Sequence, residues 1–378
     1  MKIAALTPTS GPYISARYEA FCKKSPNDSL VLIELSSFSD DSPWLPTSLQ
    51  VSYQRVILSK IPFEKQNLLT LARRIISILN KIRPEVIVSC GYGVKGMLYA
   101  LFWGMLWNKP VVLLSESKED DFLRTPLSES IKKWIIKKYK SALVGGEAHK
   151  RYLKKLGFPD EAIFFGYDVV DNSFFHPSRC RKLRVPIDKP YFLSINRFIP
   201  KKNLLFLLSS YATYRKKKGV DAWDLILCGD GHLRPGVEKE IIELGIKAFV
   251  HLPGFLEQER LLPYFGHAKC FIHASLQEQW GLVVNEAMAA GLPILVSNRC
   301  GCFKELVNEG INGFGFDPEN KMQLVDLMLK VSQRKFKLDE MGNAALEYIR
   351  KFSPDYFAEG LMQAINYALG LGSDIENT

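Results

Sequence analysis

The chain has 378 residues, 47% of them hydrophobic, enough for two domains of roughly 100–200 residues each. This composition excludes a disordered or fibrous protein, and the longest uncharged apolar run, 97–107, falls short of the roughly 20 residues that span a bilayer. The formal charge is +10, and the excess lies early: residues 1–185 carry 28 Lys+Arg against 17 Asp+Glu, and the remainder 22 against 23.

A basic half implies an acidic partner. No nucleic-acid motif accompanies the charge, so nucleic acid is discounted in favour of an anionic lipid or an acidic acceptor. The seven cysteines are Cys22, Cys90, Cys180, Cys228, Cys270, Cys300 and Cys302. Their count is odd and no Cys-x-x-Cys occurs, which predicts reduced and mostly buried thiols in a cytosolic protein. Cys300-Gly301-Cys302 reads as a structural turn, because no matching ligand pair accompanies it. The apolar start at 1–6 ends at Thr7-Pro8-Thr9, too soon for a signal peptide.

In chain order, apolar runs at 3–6, 30–35, 51–58, 85–90 and 111–115 predict strands. Segment 65–81, with apolar positions three and four apart, predicts a helix between two of them. Run 97–107 predicts a buried helix, with an interfacial one as the alternative. Segment 130–140 alternates lysines with apolar and aromatic residues at helical spacing. Lys132, Lys133, Trp134, Lys137 and Lys138 are therefore candidates for contact with an anionic membrane surface. The bland alternative packs Trp134, Ile135 and Tyr139 on the sheet and leaves the lysines solvated. His149, after Gly145-Gly146, reads as a helix-start residue.

Segment 176–190 is polar and basic, with prolines at 177, 186 and 190, and predicts a linker. Strand-like runs resume at 191–195, 223–228, 249–252, 270–273 and 294–297. Strands alternating with helices predict an α/β fold of two doubly wound domains facing a cleft, with ligands beyond the carboxyl ends of the strands. The expected boundaries are 1–185, 186–352 and a last helix in 353–378, the helix opening at Ser353-Pro354-Asp355.

The second half carries the chemistry. Arg197 follows a predicted strand, and Lys202 precedes a helix that starts near Asn203. Cations at a helix N-terminus oppose its dipole, and an anion between them reverses the sign of the interaction. Two solvated loop cations would leave the same spacing. Gly229-Asp230-Gly231 is a glycine turn after a strand, which allows close approach of a ligand. Gly281 precedes a helix over 282–290, ended by Gly291 and Pro293. The amides of Gly281, Leu282 and Val283 form an anion site. Glu286 lies in the second turn of that helix among apolar neighbours, and Glu278 lies in the loop before it. An unpaired carboxylate in an apolar helix is costly, and polar groups of a bound ligand would account for it.

These segments, with Pro253-Gly254-Phe255 and Gly310-Ile311-Asn312-Gly313-Phe314, resemble the family-4 retaining glycosyltransferases of the GT-B fold. The resemblance is strong over about 190–352 and reaches the first half only in strand order. It implies two Rossmann-like domains and a donor site for a nucleotide-diphosphate sugar. Arg197 and Lys202 would match the residues that hold the diphosphate, Glu286 the one on the ribose, and Glu278 the one on hydroxyls of the transferred sugar. Gly229 and Gly281 to Val283 would offer backbone contacts, and Gly11 would stand in for a richer glycine loop. The acceptor would be a lipid, lipid-linked or glycan molecule, reached from the cytoplasmic face of a membrane.

No Asp-x-Asp motif is present, so neither a metal nor another cofactor is expected. The histidine that many relatives place on the acceptor side is missing after 111–115. Glu116, Asp120 and Asp121 follow instead, and either orient an acceptor hydroxyl or form a charged loop. A sugar-nucleotide epimerase of the same fold, and a donor-binding regulatory subunit without activity, are the alternatives.

Overall fold

The structure, a computed structural model, describes residues 1–37, 51–121, 124–333 and 335–371. The chain divides into two compact units, Met1–Asp171 with the segment from Phe352 onward, and Asn172–Lys351.

Among the described residues, the first unit is built on a seven-stranded parallel sheet. Its strands are β1 (Lys2–Thr7), β2 (Ser29–Glu34), β3 (Gln54–Ile57), β4 (Val86–Cys90), β5 (Val111–Ser115), β6 (Ser141–Val144) and β7 (Ile163–Phe165), in the order β3-β2-β1-β4-β5-β6-β7. Helices cover both faces, so the strands are apolar without alternation. Helices α1 (Pro12–Lys24), α2 (Leu68–Ile82), α3 (Lys95–Leu106), α4 (Pro126–Ile136) and α5 (Glu147–Lys155) connect them. Right-handed crossovers put α2 to α5 on one face and α1 on the other, where α1 packs beside helix Pro354–Leu369.

Local chemistry sets these helices. Asn67 caps α2 by accepting from the amides of Leu69 and Thr70 at 3.0 and 3.1 Å. Leu71, Ile75 and Leu79 then point into the core, each contributing about 1.5–3 kcal/mol on burial. Arg83 ends α2 in the left-handed region at φ 51°. His149 opens α5, its Nδ1 accepting from the Gly146 amide at 3.1 Å.

Two helices of this unit depart from expectation. The predicted buried helix at 97–107 is buried on one side only: Met97, Ala100, Leu101 and Trp103 face the core, while Phe102, Met105, Leu106 and Trp107 are exposed. The helix expected at 130–140 instead starts at Pro126, because Thr125 and Ser128 form a capping box, and it ends at Ile136. Tyr139 then packs inward from a turn, but Trp134 does not lie on the sheet.

The second unit, again among the described residues, has a six-stranded parallel sheet ordered β10-β9-β8-β11-β12-β13. Its elements are α6 (Asn172–Phe175), α7 (Pro177–Cys180), β8 (Tyr191–Ile195), α8 (Leu204–Lys218), β9 (Asp224–Cys228), α9 (Arg234–Glu243), β10 (Val250–Gly254), α10 (Gln258–His267), β11 (Cys270–His273), α11 (Leu282–Ala289), β12 (Ile294–Ser297), α12 (Phe303–Leu306), β13 (Gly313–Phe316), α13 (Lys321–Ser332) and α14 (Leu338–Ile349). The chain then returns to the first unit through α15 (Pro354–Leu369). There Ser141 Oγ donates to the Ala364 carbonyl at 2.6 Å.

The boundary falls at 171/172 rather than at 185/186. The prolines of segment 176–190 predict a linker, yet its first part is docked. Pro177 is the first residue of α7, Cys180 is buried, and Arg179 pairs with Glu259 of α10 at 2.8 Å. The Phe175 and Phe265 rings meet edge to face at 5.5 Å.

Candidate functional site

Strand order in the second unit reverses between β8 and β11, which pair with each other at the centre of the sheet. Loops leaving the carboxyl ends of these two strands therefore diverge to opposite sides, and such switch points are where open α/β sheets bind ligands. The sequence candidates Arg197, Lys202, Glu278, Gly281 and Glu286 lie on these loops and on α11.

The loop after β8 turns through Pro200–Lys202 and closes with Asn203 at φ 57°. It is tied to the loop after β11 by the Leu276 amide donating to the Lys201 carbonyl at 2.8 Å. This brace brings the Lys202 ammonium onto Glu278 Oε2. Lys201 Nζ reaches Glu278 Oε1 at 3.3 Å. From β11 itself, His273 Nε2 lies 3.5 Å from Glu278 Oε2 and 3.2 Å from Ser275 Oγ. Ser275 Oγ donates to the same carboxylate oxygen at 3.4 Å. Arg197 is exposed at the end of β8.

Burial alone would push the Glu278 carboxyl up, but the hydrogen bond from His273 and the Lys202 charge hold it well below the usual carboxylate range. Burial pushes His273 down; its bond to Glu278 opposes that shift, and the nearby Lys202 charge reinforces it. The site therefore holds a carboxylate with two ammonium groups, beside an imidazole biased towards its neutral form.

Glu278 is fixed along its backbone as well. Its carbonyl accepts from the Gly301 amide at 3.0 Å, and the Trp280 carbonyl accepts from the Cys302 amide at 3.2 Å. Cys300 and Cys302 are buried within this brace. Among the described residues no group of three or more His, Cys, Asp or Glu is arranged to hold a metal. Gly281 follows at φ 107° and starts α11. A Cβ there would approach Glu278 Cγ at 3.4 Å and His273 Nε2 at 3.5 Å, in a conformation that side chains rarely adopt. Leu282 and Val283 are half-buried, which leaves the first amides of α11 near the surface, and Glu286 is buried in its second turn.

Gly229 has a different reason from the one its sequence suggested. A Cβ on it would lie 1.8 Å from the Asn196 carbonyl oxygen, and Gly231 is similarly pressed against Phe198. Close approach at this turn is by the loop after β8, so glycine is demanded by the fold with or without a ligand.

The first-unit candidates are scattered among several roles. Gly11 caps α1 at φ −125°, an extended conformation open to any residue. Glu116 follows β5 and is an electrostatic neighbour of Asp168, a fully buried carboxyl that follows β7. Asp120 is exposed and pairs with Lys118 at 3.3 Å. Asp121 is turned back into its own loop, accepting from the Lys118 amide at 2.6 Å. Lys132 faces the protein, bonded to Glu129 at 2.9 Å, whereas Lys133, Trp134 and Lys137 are exposed. Lys138 Nζ sits 5.3 Å from the centre of the Trp134 ring.

Sequence reasoning missed His273, Ser275 and Lys201 around Glu278, and Asp168 beside Glu116. His273 carried a readable signal: a polar residue at the last position of an apolar strand, five residues before Glu278. Asp168 carried none, because β7 is too short to announce itself.

Comparison with known proteins follows the same division. Residues 179–348 match the family described as glycosyl transferases group 1. The lipopolysaccharide core biosynthesis glycosyltransferase LpsE of Rhizobium meliloti is 27% identical over 49% of this chain and 52% of its own length. A sulfoquinovosyl transferase of Arabidopsis thaliana is 25% identical over 79% of this chain and 58% of its own. The chain thus spans about half the length of the curated relatives it matches. Among solved structures, HepE of Anabaena in complex with UDP and glucose superposes with a TM-score of 0.78 at 17% identity, over 97% of this chain and 99% of that one. That likeness establishes the fold, GT-B with two Rossmann-like units. Through residues 179–348 of its second unit, this chain is similar to the group 1 glycosyl transferases.

Proposed function

We propose that this protein is a retaining, metal-independent glycosyltransferase that moves a hexosyl group from a nucleotide-diphosphate sugar to a lipid, lipid-linked or glycan acceptor. The observation that carries the reading is the buried Glu278 carboxylate paired with Lys202 at the switch point, with a second buried carboxyl, Glu286, on α11.

In the transfer, the bond between the anomeric carbon and the diphosphate oxygen breaks and a bond to the acceptor oxygen forms. The acceptor proton leaves with the departing phosphate. Negative charge builds on the diphosphate, and Lys202, Arg197 and the amides at the start of α11 would meet it. Glu278 would take hydroxyls of the transferred sugar and Glu286 the ribose. On the acceptor side, Glu116 would orient the attacking hydroxyl, with Asp168 behind it. The absence of an Asp-x-Asp motif supports independence from metal.

Exposed apolar residues on α3 and α4, together with the exposed Lys133 and Lys137, support work at an anionic membrane surface. The scattered, mostly buried cysteines favour its cytoplasmic face. No helix among the described residues is long and apolar enough to cross a membrane.

The test is a panel of nucleotide sugars incubated with membrane extract and a chelator, followed by mass spectrometry of the products. Release of nucleoside diphosphate that depends on acceptor, and is lost in Lys202→Ala and Glu286→Ala, is expected. Conversion of the donor sugar without acceptor would identify an epimerase instead. Nucleotide binding without turnover would identify a regulatory subunit.

A further inference from the structure

His273 is fully buried at the last position of β11, and its ring lies nearly parallel to that of Phe271, 6.3 Å away. Its Nδ1 is buried with no hydrogen-bond partner among the described residues. Its Nε2 faces Ser275 Oγ at 3.2 Å and Glu278 Oε2 at 3.5 Å. A carboxylate accepts and does not donate, so the single proton of the neutral ring belongs on Nε2. A second proton would place a charged, unpaired N–H at Nδ1, which is costly, and Lys202 and Lys201 add like charge nearby. Gly281 leaves the space beside Nε2 clear, and Cys302 Sγ is the other near group there.

We infer that His273 is a positioning residue that holds Glu278 Oε2 through Nε2–H, leaving Oε1 to be presented to the transferred sugar. This assignment rests on the donor reading above. The two oxygens of Glu278 are held differently. Oε2 is met by Lys202, His273 and Ser275, and Oε1 by Lys201. When a diphosphate arrives, both lysines have a stronger anion to bind. His273 and Ser275 are neutral donors with no such competitor, so they keep Oε2 in place while Oε1 is released. The carboxylate then meets sugar hydroxyls from a fixed position, without a search over its rotamers.

Three variants test this by titration calorimetry with UDP and UDP-glucose, and in parallel with GDP and GDP-mannose. His273→Gln puts an amide N–H near the place of Nε2, His273→Asn puts one nearer to Nδ1, and His273→Leu removes the donor. A hydrogen bond to a charged group is worth about tenfold or more in affinity. The Leu and Asn variants are expected to lose about that factor for the nucleotide sugar and to keep wild-type affinity for the nucleoside diphosphate, with Gln restoring most of the loss. Thermal melts accompany each variant; if Leu does not fold, the contrast between Gln and Asn decides. Equal affinities in all three variants, or parallel loss of both ligands, would overturn the assignment. A wild-type protein that binds none of the four ligands would instead overturn the donor reading beneath it.

Discussion

Lys202 and Glu278 form an ion pair in which both side chains are about nine-tenths buried. Such a pair is a poor stabiliser but a sensitive one, because removing one partner strands the other's charge. Lys202→Met leaves Glu278 with Lys201, His273 and Ser275, so the expected loss is about 2–3 kcal/mol, below the roughly 3–5 kcal/mol of a fully stranded charge. Adding Glu278→Gln removes the stranded charge and should recover most of that loss. Turnover should stay down by ~10²–10³ in both variants, since the diphosphate has lost a cation. Denaturant unfolding and turnover on the same samples separate the two effects. A double variant as active as the wild type would remove Lys202 and Glu278 from the site.

Acid should loosen the second unit in two stages. Burial holds His273 below its ordinary value of 6.5 despite the bond to Glu278. The unfolded chain then takes up this proton before the folded one, so stability falls as pH drops below 6.5. Glu278 acts with the same sign but later. Its folded value lies well below 4.5, so its contribution is full above 4.5 and is lost as pH falls towards the folded value. Hydrogen exchange at β11 and α11 amides should therefore quicken from pH 6.5 downward in the wild type. His273→Gln should flatten the first stage and keep the second. An identical pH dependence in the two proteins would refute the neutral, buried imidazole.

The strands of both sheets that run four or more apolar residues were legible in the sequence, as were α2 and α11. Each combines a clear period with a cap, such as Asn67 or Gly281. β6, β7 and β13 were not legible, β6 being only Ser-Ala-Leu-Val after a lysine-rich helix. β7 spans three residues, and β13 reads Gly-Phe-Gly-Phe, where Gly313 is needed because a Cβ would lie 2.2 Å from the Ile294 carbonyl oxygen. Arg197, Lys202, Glu278 and Glu286 stand out in the sequence as candidates because their charge sits badly in its local context. The contact of Lys201 with Glu278 was not legible, since only the pairing of β8 with β11 brings the two loops together. The boundary was misplaced for a related reason: prolines mark a helix start at Pro177 as readily as a linker.

Gly229 should tolerate no side chain. At φ 127° the strain alone is of order 1–3 kcal/mol, and the added carbon would lie 1.8 Å from the Asn196 carbonyl oxygen. Backbone cannot move aside as a flexible side chain can, so Gly229→Ala should lower the melting temperature by many degrees or prevent folding. Gly310→Ala is the control, because its φ of 76° brings comparable strain, whereas the nearest atom to a Cβ is Phe314 Cε1 at 3.9 Å. It should cost only about 1 kcal/mol. Similar melting of the two variants would show that the loop after β8 yields more readily than its packing implies.

The α4 surface separates a membrane-associated enzyme from a freely diffusing one. Leu127, Ile131 and Trp134 are 73%, 52% and 64% exposed at spacings of four and three, which is one helical face. α3, on the same side of the sheet by crossover handedness, exposes Phe102, Met105, Leu106 and Trp107. Exposed apolar surface on this scale is what an interaction face would present, and the proposed partner is an anionic bilayer. Cosedimentation with vesicles containing phosphatidylserine should show binding that weakens with salt, and neutral vesicles should bind little. Each of Lys133→Glu and Lys137→Glu should weaken binding at least about fivefold, from the ~1 kcal/mol carried by one cation near the surface. Trp134→Glu should weaken it further by removing the apolar contact and the ring under Lys138. Lys132→Ala should have a smaller effect, since Glu129 already holds that ammonium. Unchanged vesicle binding across the Lys133, Lys137 and Trp134 variants would exclude α4 as the membrane face and send the search for the acceptor's source elsewhere.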